Sequence, residues 1–354
     1  MANINGTPGN DLIYGTSAGD VIRGFAGADT EYGGSEGGSD PTTGPDLLYG
    51  NQGNDELHGQ DNDDTVYGGQ DEDRVGGGPG VDVVYGNFGN DSVLGGDGSD
   101  TLYGGQGNDD LEGEDEGGRG DVIYGNLGED GLFGQDGHDT LYGGQQNDFL
   151  NGGPLNDVVY GNFGNDELVG GAFSPFFAQT DGRGDDTLYG GQGNDLLRAA
   201  GYSDDFDPGR GDRDQLFGNL GNDTFDFSDY NAGFNDESAG TTDANSNRIM
   251  DFATGVDKFR AFTEDSTPEY TEVAAPGVTS VAEAINFADV NNLFDSTGAG
   301  NIEYVFIAGA THGYLIVNPD GNTSDFDPGT DYAVVIQNGN TLAAFSFGDI
   351  INVT

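Results

Sequence analysis

Along residues 3–226 an apolar residue stands two places after an aspartate again and again, and the aspartate itself returns about every nine residues. Residues 85–111 show the rhythm undisturbed. Glycine-rich turns at Gly86, Gly95 and Gly104 lead to Asp91, Asp100 and Asp109, then to Val93, Leu102 and Leu111. Aspartate holds this position at 21 places (11, 20, 29, 46, 55, 64, 73, 82, 91, 100, 109, 121, 130, 139, 148, 157, 166, 186, 195, 214 and 223), and the residue two later is apolar at 20 of them. Glu31 is the exception. A chain that is 33% hydrophobic would give about seven by chance, so the pattern is a structural code. Alternate residues of a strand face opposite sides, so each unit predicts a tight turn and a short strand with one apolar side chain turned inward.

The units sort into two kinds. One ends in an aromatic three places after the aspartate: Tyr14, Tyr32, Tyr49, Tyr67, Tyr85, Tyr103, Tyr124, Tyr142, Tyr160, Tyr189 and Phe217. The other ends in unrelated residues such as Arg23, His58, Leu94 and Glu112. The repeating coil is therefore 18 residues, two turns and two strands, and predicts an all-β chain built as a right-handed parallel β-roll. Eleven such coils would make a rod of roughly 50 Å at the strand spacing. Extra residues follow Gly113, Gly170 and Arg198, all in the same half of the coil, and these should interrupt one edge of the roll. Residues 33–41 carry Gly38 where an aspartate belongs, which argues against a metal site there.

The unit reads GGxGxDxUx, with U apolar, and resembles the RTX (hemolysin-type calcium-binding) repeat family over residues 3–226. Physical chemistry gives the motif its sense. Glycines let backbone carbonyls crowd one point, and Ca²⁺ seeks six to eight hard oxygens from carbonyls and carboxylates. Aspartates stacked about 4.8 Å apart would repel by roughly 1 kcal/mol in water and about 3–4 kcal/mol at an effective dielectric of 20, so a column of them needs cations between the turns. The resemblance implies that each ion lies between adjacent turns, in two columns. The implied ligands are Asp11, Asp20, Asp29, Asp55, Asp64, Asp73, Asp82, Asp91, Asp100, Asp109, Asp130, Asp139, Asp148, Asp157, Asp166, Asp195 and Asp223.

Composition narrows the alternatives. With 64 acidic and 10 basic residues the formal charge is −54, a field that excludes nucleic acid and anionic lipid as partners. Such charge with 67 glycines would suit a disordered chain, and the periodic code assigns that disorder to the metal-free state. There is no cysteine, hence neither disulfide nor thiol chemistry, and no apolar run long enough to span a membrane. Residues 1–11 enter the first repeat directly, without the charged start and apolar core of a signal peptide. Three histidines (His58, His138, His312) and no HExxH, GxSxG, Walker or Rossmann fingerprint leave no visible catalytic centre. His58 and His138 read as solvated surface residues.

After residue 226 the period stops, and residues 227–354 predict a β-rich C-terminal cap with one helix. A capping box at Ser280 and Glu283 opens that helix, to about Phe294. Strands are expected near residues 304–307, 314–317, 332–336 and 342–347. This region resembles the C-terminal part of serralysin-type proteins, which implies capping of the roll and a signal for type I secretion. Three Arg-Gly-Asp tripeptides (119–121, 183–185, 210–212) fall readily out of a Gly/Asp-rich repeat. The Phe-rich loop 172–178 suits packing against a neighbouring segment. The aromatic column predicts either rings stacked on one another or a platform for sugars. Together these readings describe a secreted, extracellular or cell-surface calcium-binding structural protein, not an enzyme, with calcium and other copies of itself as partners. The alternative is an adhesin that binds surface polysaccharide through its tyrosine face.

Overall fold

The computed structural model describes residues 2–34, 44–114, 118–171, 184–198, 214–226 and 248–250, and the strands Lys258–Phe262, Glu269–Ala274, Glu303–Ala308, Gly313–Asn318, Tyr332–Ile336 and Ile350–Val353. The chain divides into two compact units, Met1–Glu167 and Leu168–Thr354.

In the first unit strands of two lengths alternate. The short Asn3–Asn5 and the six-residue strands from Val21–Ala26 to Val158–Phe163 form one parallel sheet. Three-residue strands from Leu12–Tyr14 to Phe149–Asn151 form the other. Each strand pairs with the one a full coil on, as Tyr67 with Tyr85 and Tyr85 with Tyr103, or Val75 with Val93 and Val93 with Leu111. This is the parallel β-roll that the 18-residue period predicts.

The longer strands owe their shape to one backbone position. Asn51, Asn87, Asn126 and Asn162 take φ of 81°, 81°, 78° and 74°, alternating with Gly69, Gly105 and Gly144 at 129°, 119° and 125°. Only glycine and, at small cost, asparagine enter that left-handed region readily, which explains the alternation of YGN with YGG. Asn51 adds a side-chain hydrogen bond, Nδ2 donating to the Tyr49 carbonyl at 3.0 Å. Between the sheets lies a thin core. Leu57, Val66, Val75, Val84, Val93, Leu102, Leu111, Ile123, Leu132, Leu141, Leu150 and Val159 are all fully buried, as the inward position requires.

One register differs from the sequence reading. Tyr14 and Tyr32 do not share a column with Tyr49. Tyr32 pairs with His58, and it is Arg23 that pairs with Tyr49. The coil between them is 26 residues, with Asp20 meeting Asp46 and Asp29 meeting Asp55. A long strand bent through a left-handed residue extends its ladder only on another of the same shape, so Phe25 (φ 88°) aligns with Asn51 (φ 81°). The aromatic at the end of the unit carries no such constraint. In this unit both lengthened connections, after Tyr32 and after Glu112, run from a three-residue strand to a six-residue one.

In the second unit the same two kinds of strand continue, with Leu188 opposite Leu216 and Leu197 opposite Phe225. Arg248–Ile249 and Lys258–Phe262 then add to the two ladders. Glu303–Ala308, Gly313–Asn318 and Tyr332–Ile336 form an antiparallel meander, joined in parallel to Arg248–Ile249 through Tyr332–Ile336. Glu269–Ala274 pairs parallel with Glu303–Ala308, and Ile350–Val353 with Lys258–Phe262. Three of the four expected C-terminal strands are present within a residue or so. The expected helix, the strand at 342–347, the loop 172–178 and the tripeptide 210–212 lie outside the described residues.

Candidate metal centre

Each turn begins at a glycine whose missing side chain leaves a small space, and oxygens converge on it. A Cβ on Gly125 would stand 2.5 Å from Asp130 Oδ2 and 2.6 Å from the Gly143 carbonyl oxygen. At Gly143 the same point is 2.5 Å from Asp148 Oδ2 and 2.9 Å from the Gly161 carbonyl. At Gly68 it is 2.5 Å from Asp73 Oδ2 and 3.0 Å from the Gly86 carbonyl. The recipe recurs along the first unit: a glycine, the aspartate that closes its turn, and a carbonyl from the next coil.

The two oxygens of each carboxylate have different partners. Oδ1 accepts the amide N–H of the aspartate one coil earlier, as Asp73 to Asp91 at 2.8 Å and Asp91 to Asp109 at 2.8 Å. On the other edge Asp64 donates to Asp82 at 2.6 Å and Asp82 to Asp100 at 2.7 Å. Oδ2 has no hydrogen-bond partner at Asp29, Asp46, Asp55, Asp64, Asp73, Asp82, Asp91, Asp109, Asp130 and Asp148, although these side chains are buried. Without a cation, burial and then neighbouring carboxylates push the pKa of Asp64, Asp73, Asp82 and Asp148 up to about 8. Asp91 and Asp109 rise to about 7 through the same causes. Asp130 rises to about 6 through burial alone. Buried carboxylate oxygens without donors are costly unless a cation meets them.

The remaining expected ligands repeat the same arrangement within each unit. Asp139, Asp157 and Asp166 continue it in the first unit, each accepting the amide of the preceding coil's aspartate. Asp195 and Asp223 pair likewise in the second, at 3.0 Å. Four aspartates outside the expected set belong here too. In the first unit Asp46 and Asp121 are buried and linked to the columns through Asp20, Asp100 and Asp139, and in the second Asp186 and Asp214 are buried and paired with each other. Each follows an extra segment, and the apolar residue two later had already marked it as a repeat position.

In the first unit those segments do not break the edge. Asp121 still faces the Gly113 cradle with the Gly134 carbonyl, whose oxygen lies 2.5 Å from the Cβ point. Asp46 returns to the Gly33 cradle, 2.6 Å away, despite the departure in sequence at 33–41. Asp46 and Asp121 are each held by the next coil, their amides donating to Asp64 and Asp139 Oδ1 at 2.7 Å.

Asp11 and Asp20 are different. Thr7 donates both its amide and its hydroxyl to Asp11 Oδ2, at 2.5 and 2.9 Å. Thr16 does the same for Asp20 Oδ2, at 2.7 Å for both donors. Burial alone would raise the Asp20 pKa, but hydrogen bonds from Ala2 and Thr16 hold it below the usual value. The first coil thus satisfies its own carboxylates.

Among the described residues no three His, Cys, Asp or Glu side chains gather around one point. The donors are single carboxylates plus backbone carbonyls, all hard oxygen. That set fits Ca²⁺ and not zinc, which favours nitrogen and sulfur.

Beside the centre runs the aromatic column. Tyr49, Tyr67, Tyr85, Tyr103, Tyr124, Tyr142 and Tyr160 stack with centroids 4.6–5.0 Å apart and planes within 6°. The five inner rings use both faces on each other, which leaves edges rather than faces to solvent. A second ladder, Tyr14–Tyr32–His58, stands in the other sheet at 5.1 and 4.9 Å, so His58 is a stacking partner as well as a surface residue. The Arg-Gly-Asp tripeptide at 119–121 loses its aspartate to the buried column, since Asp121 is 1% exposed.

These turns are matched by the family model of the RTX calcium-binding nonapeptide repeat at residues 5–37, 41–75, 76–111, 117–150, 142–174, 180–205 and 208–228. The chain belongs to that family and is a calcium-binding repeat protein. Among solved structures it is similar to a hyperactive, Ca²⁺-dependent, β-helical antifreeze protein from an Antarctic bacterium, determined by X-ray crystallography. The two share 17% identity and a TM-score of 0.41, over 84% of this chain and 92% of that one. No curated protein matches the chain in sequence. No helix among the described residues is long and apolar enough to cross a membrane.

Proposed function

We propose that the chain is a secreted structural protein of a cell surface or extracellular matrix, whose roll folds when calcium fills two columns of turns. The supporting observation is the row of buried Oδ2 atoms without hydrogen-bond partners, at Asp29, Asp55, Asp73, Asp91, Asp109, Asp130 and Asp148 on one edge and Asp46, Asp64 and Asp82 on the other. Asp100, Asp121, Asp139, Asp157, Asp166, Asp186, Asp195, Asp214 and Asp223 complete the proposed ligand set from equivalent positions. Asp11 and Asp20, held by threonines, close the end of each column instead. At the submicromolar calcium of a cytoplasm the acidic columns repel and the chain stays extended. At millimolar calcium outside, binding to the folded state alone drives folding by mass action. Among the described strands, Asn3–Asn5 and Leu12–Tyr14 each pair on one side, and a further copy joining on the other would extend both ladders.

The test is the hydrodynamic radius of the full chain across a calcium series. Compaction is expected with a midpoint of about 0.1–1 mM, the range of extracellular calcium modules. A chain already compact at submicromolar calcium would refute the export-then-fold reading. Sedimentation velocity on the calcium-loaded protein would show growing species if copies join end to end, and a single monomer boundary at high concentration if they do not.

A further inference from the structure

Glu31 occupies the position that the other repeats give to an apolar side chain. Its strand Thr30–Tyr32 pairs with Glu56–His58, which sets Glu31 opposite Leu57 in the inward column. The side chain is fully buried, and neither Oε1 nor Oε2 has a hydrogen-bond partner. The amides of Tyr49 and Gly24 favour its charge slightly without reaching hydrogen-bond geometry. Asp55 and Asp29 both act on it with like charge. A carboxylate in that setting is strongly disfavoured, and an apolar residue would serve the fold better.

Where the carboxylate points explains its presence. One coil earlier Ile13 fills the corresponding position, its Cδ1 3.0 Å from the Cβ point of Gly6. At Gly24 that place belongs to Glu31 Oε1, 2.9 Å from the Cβ point and beside Asp29 Oδ2. Among the described turn glycines, this is the one whose cradle receives carboxylate oxygens from two residues. The next turn on the same edge, at Gly50, presents Asp55 Oδ2 and the Gly68 carbonyl in the usual way.

We propose that Glu31 is an additional metal ligand, which makes the Gly24–Asp29 cradle the tightest calcium site of the chain and the one that fills first. The inference rests on the calcium reading above and adds to it a ranking among sites. Calcium affinity rises with the number of charged ligands and the rigidity of their frame. Here two carboxylates converge from one short strand and its preceding turn, held in place by the fully paired ladder around them. The site also adjoins the threonine-capped first coil, so its ion would fasten that end of the roll. A hard trivalent ion such as Tb³⁺ should prefer this cradle over its neighbours, because the excess negative charge is local.

Calcium titration of the full-length chain by calorimetry, with ion counting by native mass spectrometry, tests the proposal on wild type, Glu31→Gln and Glu31→Leu. Wild type should show one ion bound about 10-fold or more tightly than the rest, and both variants should lose that class. Circular dichroism in millimolar calcium checks that each variant folds. Glu31→Leu restores the apolar pattern of the repeat, so it keeps the test decisive if Glu31→Gln folds poorly. A buried glutamate that binds nothing predicts the opposite sign: removing it relieves an unpaired charge, so both variants would fold at lower calcium with the ion count unchanged. That result would overturn the proposal and leave the calcium reading standing. A wild-type chain that binds no calcium would overturn both.

Discussion

Replacing Gly125 with alanine puts a single methyl group where the account places an ion. The new Cβ would stand 2.5 Å from Asp130 Oδ2 and 2.6 Å from the Gly143 carbonyl oxygen. Ordinary contact begins at 3.4 Å, so these atoms must give way by roughly 0.8 Å. Gly125 is not among the residues with positive φ, so backbone strain does not confuse the result. Overpacking of this kind costs about 1–3 kcal/mol. Exclusion of one ion, at calcium a hundred times its dissociation constant, removes about 2.7 kcal/mol more. In calcium the loss should reach about 4–6 kcal/mol, lowering the melting temperature by on the order of 10–20 °C. The ion count at saturation should fall by one. Gly76→Ala is the control, since its Cβ meets nothing closer than Leu94 Cβ at 3.9 Å. That change should be neutral or stabilise by about 0.4–1 kcal/mol, through the reduced entropy of the unfolded chain. Differential scanning calorimetry and calcium titration read both quantities. A Gly125→Ala protein with the full ion complement and unchanged melting would refute the placement of the ion in the cradle.

Stripped of calcium, the folded roll should gain stability on acidification. The carboxyls of Asp64, Asp73, Asp82 and Asp148 have folded pKa values raised to about 8, so the folded state binds protons that the unfolded chain does not. The gain is complete below the unfolded value of about 4 and lost as pH rises through about 8, so strand signal should return between those limits. Circular dichroism in calcium-free buffer that shows no recovery on acidification would contradict the burial of these groups. In calcium the sign reverses, because protons compete with the ion, and the folding midpoint should move to higher calcium as pH falls. Tyr103→Ala removes two stacked contacts, to Tyr85 at 4.8 Å and Tyr124 at 4.9 Å, and should cost about 1–3 kcal/mol without changing the ion count. A loss of bound calcium in that variant would show that the ladder and the metal columns are not independent.

The coil, the inward column and the aspartate columns were legible in the sequence because each is a strict function of spacing. Val93 must face inward if Asp91 closes a turn, and the ladder then places Leu111 beside it. Parity was less visible. Tyr14, Tyr32 and Tyr49 look alike, yet what decides the pairing is the left-handed residue at Phe25 and Asn51, and nothing about phenylalanine announces positive φ. Asp46, Asp121, Asp186 and Asp214 were counted in the repeat but left out of the ligand set because each follows irregular spacing, which hydrogen bonding to the next coil overrides. The insertion after Gly113 was expected to break its edge for the same reason, and the ladder held it. Thr7 and Thr16 gave no signal at all, since their role depends on both an amide and a hydroxyl reaching one carboxylate oxygen. Glu31 stood out in the pattern, but its reach toward Gly24 and Asp29 is a matter of three-dimensional position. The C-terminal strands were read from alternation and turn residues, and their pairing with the last coils was beyond any local signal.

The central claim is that cations complete this fold, because buried oxygens such as Asp91 Oδ2 and Asp130 Oδ2 have no other partner. Far-UV circular dichroism of the full chain at neutral pH, first with excess EGTA and then with millimolar CaCl₂ added back, tests it directly. The account predicts a disordered spectrum in chelator and a cooperative, reversible rise of strand signal on calcium addition. A strand spectrum that is the same in EGTA as in calcium would contradict it.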